Sequence, residues 1–144
     1  VLGDGWGAEI IEFISRETDA RRAGYFRFAL NDDVAPARLL ARLVNWRCRV
    51  FALPYGDQGL LIAKPFYETL GGFAALPLME DVDFIRRLKA ASGFRALIPL
   101  DIVAVSDAAR YRASTYLGRS MRNLFCLGLY FAGVPVRLIQ RFYG

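Results

Sequence analysis

Three carboxylates fall within four positions, Glu80, Asp81 and Asp83, in the stretch Pro77-Leu78-Met79-Glu80-Asp81-Val82-Asp83-Phe84. The chain has no histidine. Ser-His-Asp and Cys-His catalysis are therefore excluded, as is every metal motif built on histidine. Acid or base work near neutrality falls to a carboxylate. A free aspartate, with a pKa of about 3.9, is already ionised at neutral pH, so a base role asks for position more than tuning. The competing reading is electrostatic. Acids in a first helical turn complement the macrodipole, each contributing about 0.3–1 kcal/mol. One or two would serve that purpose, and here three stand among Met79, Val82 and Phe84.

A second polar knot is Tyr55-Gly56-Asp57-Gln58-Gly59. Two glycines around an acid and an amide suit close approach to a hydroxylated ligand. An ordinary polar loop is the alternative. Arg110 and Arg112 form a third group. A loop arginine can hold a diphosphate in a bidentate fork, and a solvated or membrane-facing charge is the alternative. The start Gly3-Asp4-Gly5-Trp6-Gly7 has neither the spacing nor the lysine of a phosphate loop.

These groups need elements to hold them. Pro77 precedes a predicted helix over Glu80–Ala91, closed by Ser92-Gly93. Asp81 and Asp83 lie about 200° apart around it, so Asp83 is assigned a structural role. Upstream, Ala8–Ser15 reads as a helix. Tyr25–Leu30 reads as a strand with Phe26, Phe28 and Leu30 on its apolar face. A helix opens near Pro36, with Leu39, Leu43, Trp46 and Val50 as its buried stripe. Residues 53–59 form a loop, Leu60–Ala63 a short strand, and Pro65–Leu70 a short helix ended by Gly71-Gly72. Strands follow at Phe94–Leu100 and Ile102–Val105, then helices at Ser114–Ala132 and Val136–Phe142. The alternation implies one α/β domain over residues 1–144.

The chain has 144 residues, 55% of them hydrophobic, and a formal net charge of +5. That length suffices for a domain with its own core. After Asp107 no acid occurs, while Arg110, Arg112, Arg119, Arg122, Arg137 and Arg141 follow. A basic, apolar-rich end implies an anionic partner, either a phosphate-bearing ligand or a membrane surface. Cys48 and Cys126 are expected as buried free thiols, outside any zinc pattern. No signal peptide is visible. The chain lacks an initiator Met and begins abruptly, which suggests a fragment. The longest apolar run, Leu124–Val136, falls short of the roughly 20 residues of a spanning helix.

The order Tyr55-Gly56-Asp57-Gln58-Gly59, short strand, helix, Gly71-Gly72-Phe73, Met79-Glu80-Asp81-Val82-Asp83-Phe84 and Arg86-Arg87-Leu88 resembles family 2 glycosyltransferases, and most of all a small bacterial branch. Gly24-Tyr25-Phe26-Arg27-Phe28, Ser106, Arg110-Tyr111, Arg122-Asn123 and residues 138–143 extend the likeness along nearly the whole chain. The resemblance implies the C-terminal part of a GT-A fold, a small mixed sheet flanked by helices with further C-terminal helices. It also implies inverting transfer of a sugar from a nucleotide-diphosphate donor to an acceptor hydroxyl, a lipid-linked one among the candidates. The second acid of the pair, Asp81, would be the catalytic base. Glu80 would orient the acceptor, Gly56, Asp57 and Gln58 would border the sugar pocket, and Arg110 and Arg112 would face the diphosphate. Phe51 and Tyr55 could stack on a sugar, whereas Trp46, on the helix stripe, is assigned to the core.

The family's nucleotide-binding half, with its metal motif, has no counterpart in this chain. Mg2+ or Mn2+ is expected of the complete enzyme, with no ligands for it here, and the chain alone is expected to be inactive. The missing half would leave the Tyr25–Leu30 edge bare and open to dimerisation. The implied location is cytoplasmic, at the inner face of a membrane. The alternative is a non-catalytic basic module that binds an anionic membrane surface or a partner protein. Nucleic-acid binding lacks any recognition motif.

Overall fold

The computed structural model describes residues 1–16, 21–109 and 116–143. The chain is mixed α/β. Strands β1 (Ala23–Leu30), β2 (Leu60–Ile62) and β3 (Leu97–Ser106) form a sheet in the order β2-β1-β3. β1 runs antiparallel to β2, with Ala23 opposite Ile62 and Tyr25 opposite Leu60. It runs parallel to β3, from Ala23 opposite Leu97 to Leu30 opposite Ser106. Parallel neighbours require a long crossover. Helices α2 (Ala35–Phe51), α3 (Lys64–Thr69) and α4 (Glu80–Ser92) lie within it.

Ala23, Gly24, Tyr25, Phe26 and Phe28 of β1 are all buried. The strand is thus covered on both faces, rather than on the single face its alternation implied. On one face Phe26 packs with Leu100 and Ala104, together with Ile10 and Phe13 of α1 (Trp6–Arg16). On the other, Ala23 and Tyr25 join the main core with Cys48, Val82, Phe84 and Leu88. Cys126 and Ile139 complete that core from α5 (Tyr116–Phe131) and α6 (Val136–Tyr143).

The Tyr25–Leu30 strand, expected to leave a bare edge for dimerisation, is the middle strand: β3 pairs along its length, and β2 pairs over Ala23–Tyr25. Where β2 stops, side-chain amides continue the ladder. Gln58 Nε2 donates to Phe26 O at 3.2 Å. Asn45 of α2 accepts from Phe28 N–H and donates to Phe28 O, both at 2.9 Å. Each β1 group left by the short β2 would otherwise lack a partner in the interior.

The amphipathic stripe of α2 is turned the opposite way from expectation. Ala37, Leu40 and Cys48 face inward, whereas Leu39, Leu43, Trp46 and Val50 are exposed. Small inner residues and the Asn45 bonds hold α2 close against β1. β3 is one strand through Asp101, where the sequence suggested a break, but its pairing with β1 shifts there, from Tyr25 opposite Pro99 to Arg27 opposite Val103, so the break survives as a bulge. Asp101 N–H donates to Glu9 Oε1 at 2.9 Å, and its carbonyl accepts from Arg27 Nη2 at 2.7 Å. Among the described residues, no helix is long and apolar enough to cross a membrane.

Candidate functional site

The start of α4 has an unusual entry. Met79, which precedes Glu80, adopts a left-handed backbone with φ 65° and supplies no side-chain cap. Few non-glycine residues sit there, and such strain persists where surrounding contacts hold it. Here the Met79 side chain is buried in the main core. The first-turn N–H groups that a Ser or Asp cap would satisfy need other acceptors. Asp81 provides one: its Oδ1 accepts from Val82 N–H at 2.7 Å.

The other oxygen of Asp81 reaches across the molecule. Oδ2 accepts from Gly56 N–H at 2.8 Å. The carboxylate is half-buried, and it joins α4 to the 3₁₀ turn Gly56–Gln58. The two motifs picked out in the sequence therefore meet at one hydrogen bond. Glu80 is exposed beside Asp81, and Asp57 is exposed beside Gly56.

Asp83 turns elsewhere, in line with its position on the helix. Its Oδ2 lies 2.8 Å from Arg87 Nη2 in an ion pair, and Tyr130 donates its hydroxyl to Oδ1 at 3.4 Å. Arg87 also donates to Gly72 O at 2.8 Å and to Leu70 O. This clamp fixes α4 to the glycine turn after α3. Gly72 has φ 63°, and an added Cβ would lie 3.1 Å from the Tyr67 hydroxyl, so glycine is needed there.

Gln58 has a different place from the one expected. It is 0% exposed. Its Oε1 accepts from Tyr55 N–H and from the Cys48 thiol, both at 3.1 Å. With Nε2 on Phe26 O, the whole amide faces the core, so Gln58 anchors the turn from beneath instead of lining an opening. Burial pushes the Cys48 thiol pKa up, with Arg47 opposing that shift. Gly59 closes the turn at φ 68°, and an added Cβ there would lie 3.3 Å from the Phe26 ring.

A cavity of about 470 Å³ opens between α2 and α5, within the size range of small-molecule pockets, about 300–1,000 Å³. Leu43, Trp46, Phe51, Met121 and Leu124 make it largely apolar, and Arg47, Tyr55, Asp57, Ser120 and Asn123 add polar groups to its lining. The Arg47 guanidinium lies 3.7 Å from the centre of the Tyr55 ring. Burial, above all, raises the Tyr55 phenol pKa. Trp46 is 59% exposed and packs edge-on against Phe51, so it belongs to the cavity wall and not to the core.

Gly56, Asp57 and Asp81 are thus brought together, with Glu80 adjacent and Gln58 behind. Arg110 and Arg112 lie outside the described residues. The Arg47–Tyr55 stack and the α2–α5 cavity were missed in the sequence. Arg47 looks there like one more solvated arginine of α2, and no local signal pairs it with Tyr55. Cys48 and Cys126 are buried free thiols. Among the described residues, no group of three His, Cys, Asp or Glu side chains is placed to hold a metal ion. The chain matches no protein-family model, no curated protein and no solved structure.

Proposed function

We propose that this chain carries the acceptor side of an inverting glycosyltransferase of GT-A type, with Asp81 as general base. The Asp81–Gly56 hydrogen bond of 2.8 Å carries this reading. It fixes a half-buried carboxylate next to the turn that carries Asp57, and Asp57, not Asp81 itself, lines the α2–α5 cavity. Two backbone N–H groups occupy one lone pair on each oxygen, and the remaining lone pairs are available to an acceptor hydroxyl.

In the proposed step the acceptor oxygen attacks the anomeric carbon and passes its proton to Asp81. The bond from that carbon to the diphosphate breaks, its electron pair leaves with the diphosphate, and the configuration inverts. Positioning and proton removal are the protein's contributions. Glu80 orients the acceptor, Gly56 and Asp57 border the sugar, and Arg110 and Arg112 are the groups assigned to the diphosphate. The acids of α4 do not fit a shared Mg2+ or Mn2+: Asp83 is paired with Arg87, and Asp81 is turned onto Gly56. No step is routed through a metal.

The test is sugar transfer from a panel of nucleotide sugars by the full-length gene product. Asp81→Asn is expected to lower kcat by about 10²–10⁴-fold, the usual contribution of a positioned base, with the circular dichroism spectrum unchanged. Undiminished turnover by Asp81→Asn, or none by the wild type, would overturn the assignment.

A further inference from the structure

Outside the Asp81 site, the most unusual surface is apolar and spans three helices. On α2, Leu39, Leu43, Trp46 and Val50 are exposed at helical spacing. On α5, Met121, Leu124, Phe125 and Phe131 are exposed along one face, and on α6 so are Leu138 and Phe142. The three stripes are continuous. Leu43 and Trp46 share the cavity wall with Met121 and Leu124. Phe125 meets Phe142 edge-on, with ring centres 6.2 Å apart. An exposed apolar patch of this extent on a folded domain marks an interaction surface.

The charge on these helices narrows the choice of partner. α2 carries four arginines, α5 two and α6 two, and none of the three carries an acid. At about 100° per residue, Arg38, Arg42 and Arg49 lie to one side of the α2 stripe and Arg47 to the other. Arg137 and Arg141 both lie to one side of the Leu138–Phe142 pair. Arg38 is shared with Asp33 at 2.8 Å, and Asp57 stands at the cavity rim. Every charged side chain carried by the three helices themselves is an arginine. A second copy docked on this face by two-fold symmetry would set arginines against arginines. An anionic bilayer surface meets both features: aromatic and aliphatic side chains enter the headgroup boundary, and arginines meet the lipid phosphates.

We propose that the α2–α5–α6 face docks this protein onto an anionic lipid surface. The proposal stands independently of sugar transfer and of Asp81. The helices lie along the interface, and the cavity mouth between α2 and α5 opens toward the lipid.

The experiment uses the chain with vesicles of phosphatidylcholine, alone or mixed with phosphatidylglycerol. Cosedimentation is expected only with the mixed vesicles, and added salt should weaken it. Arg137→Gln and Arg141→Gln should each reduce partitioning about fivefold. Leu43→Glu combined with Phe142→Glu should abolish it. A second measurement avoids surface variants: Trp6→Phe leaves Trp46 as the single tryptophan. Its emission should shift to the blue on mixed vesicles and be quenched by brominated lipid. Absence of binding to mixed vesicles, equal binding to neutral ones, or unquenched Trp46 emission would overturn the proposal. So would a lipid-free dimer that Leu43→Glu dissociates, which would assign the face to a second copy.

Discussion

Helices α2 and α4 carry the same kind of pattern and use it in opposite ways. α4 turns Val82, Ile85 and Leu88 inward and sets Glu80 outward. α2 turns its largest apolar residues outward and buries Ala37, Leu40 and Cys48. Apolar periodicity therefore marks a face but does not say what lies across from it. Opposite α4 is the aromatic and aliphatic core. Opposite α2 is the part of β1 that β2 does not reach, with backbone groups that need an amide and a close-fitting helix. Polar satisfaction decides the orientation there, because an unpaired buried N–H or C=O costs about 1–3 kcal/mol.

The sharpest way to break this comparison is a matched pair of truncations. Leu88 is 0% exposed and Leu43 is 50% exposed. Leu88→Ala is expected to cost about 2–5 kcal/mol, and Leu43→Ala no more than about 0.5 kcal/mol, read from urea-unfolding midpoints. Similar losses for both would mean that the α2 stripe is covered after all. A smaller effect tests the cause. If burial of apolar surface set the orientation of α2, Asn45→Leu would stabilise the protein. Loss of both bonds to Phe28 predicts destabilisation of about 1–3 kcal/mol instead.

The smallest effect at neutral pH concerns Tyr25, which packs beneath α2. Burial, with the nearby Cys48 adding to it, raises the Tyr25 phenol from 10.0 to about 12. A raised pKa means that the fold favours the protonated form. That stabilisation is complete below pH 10.0 and is lost as pH rises toward about 12. Urea midpoints should fall through this window, and Tyr25→Phe should flatten the fall. A flat wild-type profile would show that the inner face of α2 is open to water.

Local signals were legible wherever one residue type settles the backbone. Pro36, Gly71-Gly72 and Gly93 mark helix ends at nearly the positions observed. The order of the Gly56 turn and the Glu80–Asp83 helix start was legible as well, but their hydrogen bond was not, since it joins residues far apart in sequence. Gln58 was read as facing a ligand because two glycines, Gly56 and Gly59, bracket the Asp57-Gln58 pair. An amide in such a turn can swing either way, and the buried Cys48 and the Phe26 carbonyl drew it inward. The outward stripe of α2 was hidden for the same reason: Leu, Trp and Val at helical spacing look identical whether a core or another surface covers them. The left-handed Met79 left no trace in composition.

The carboxamide of Asn45 imitates one peptide unit of a missing strand, offering a donor and an acceptor to the same residue of β1. A helix pinned this way cannot roll about its axis to hide its greasy side without tearing the sheet's last rung. The outward greasiness of α2 is thus a locked posture, present before any partner arrives.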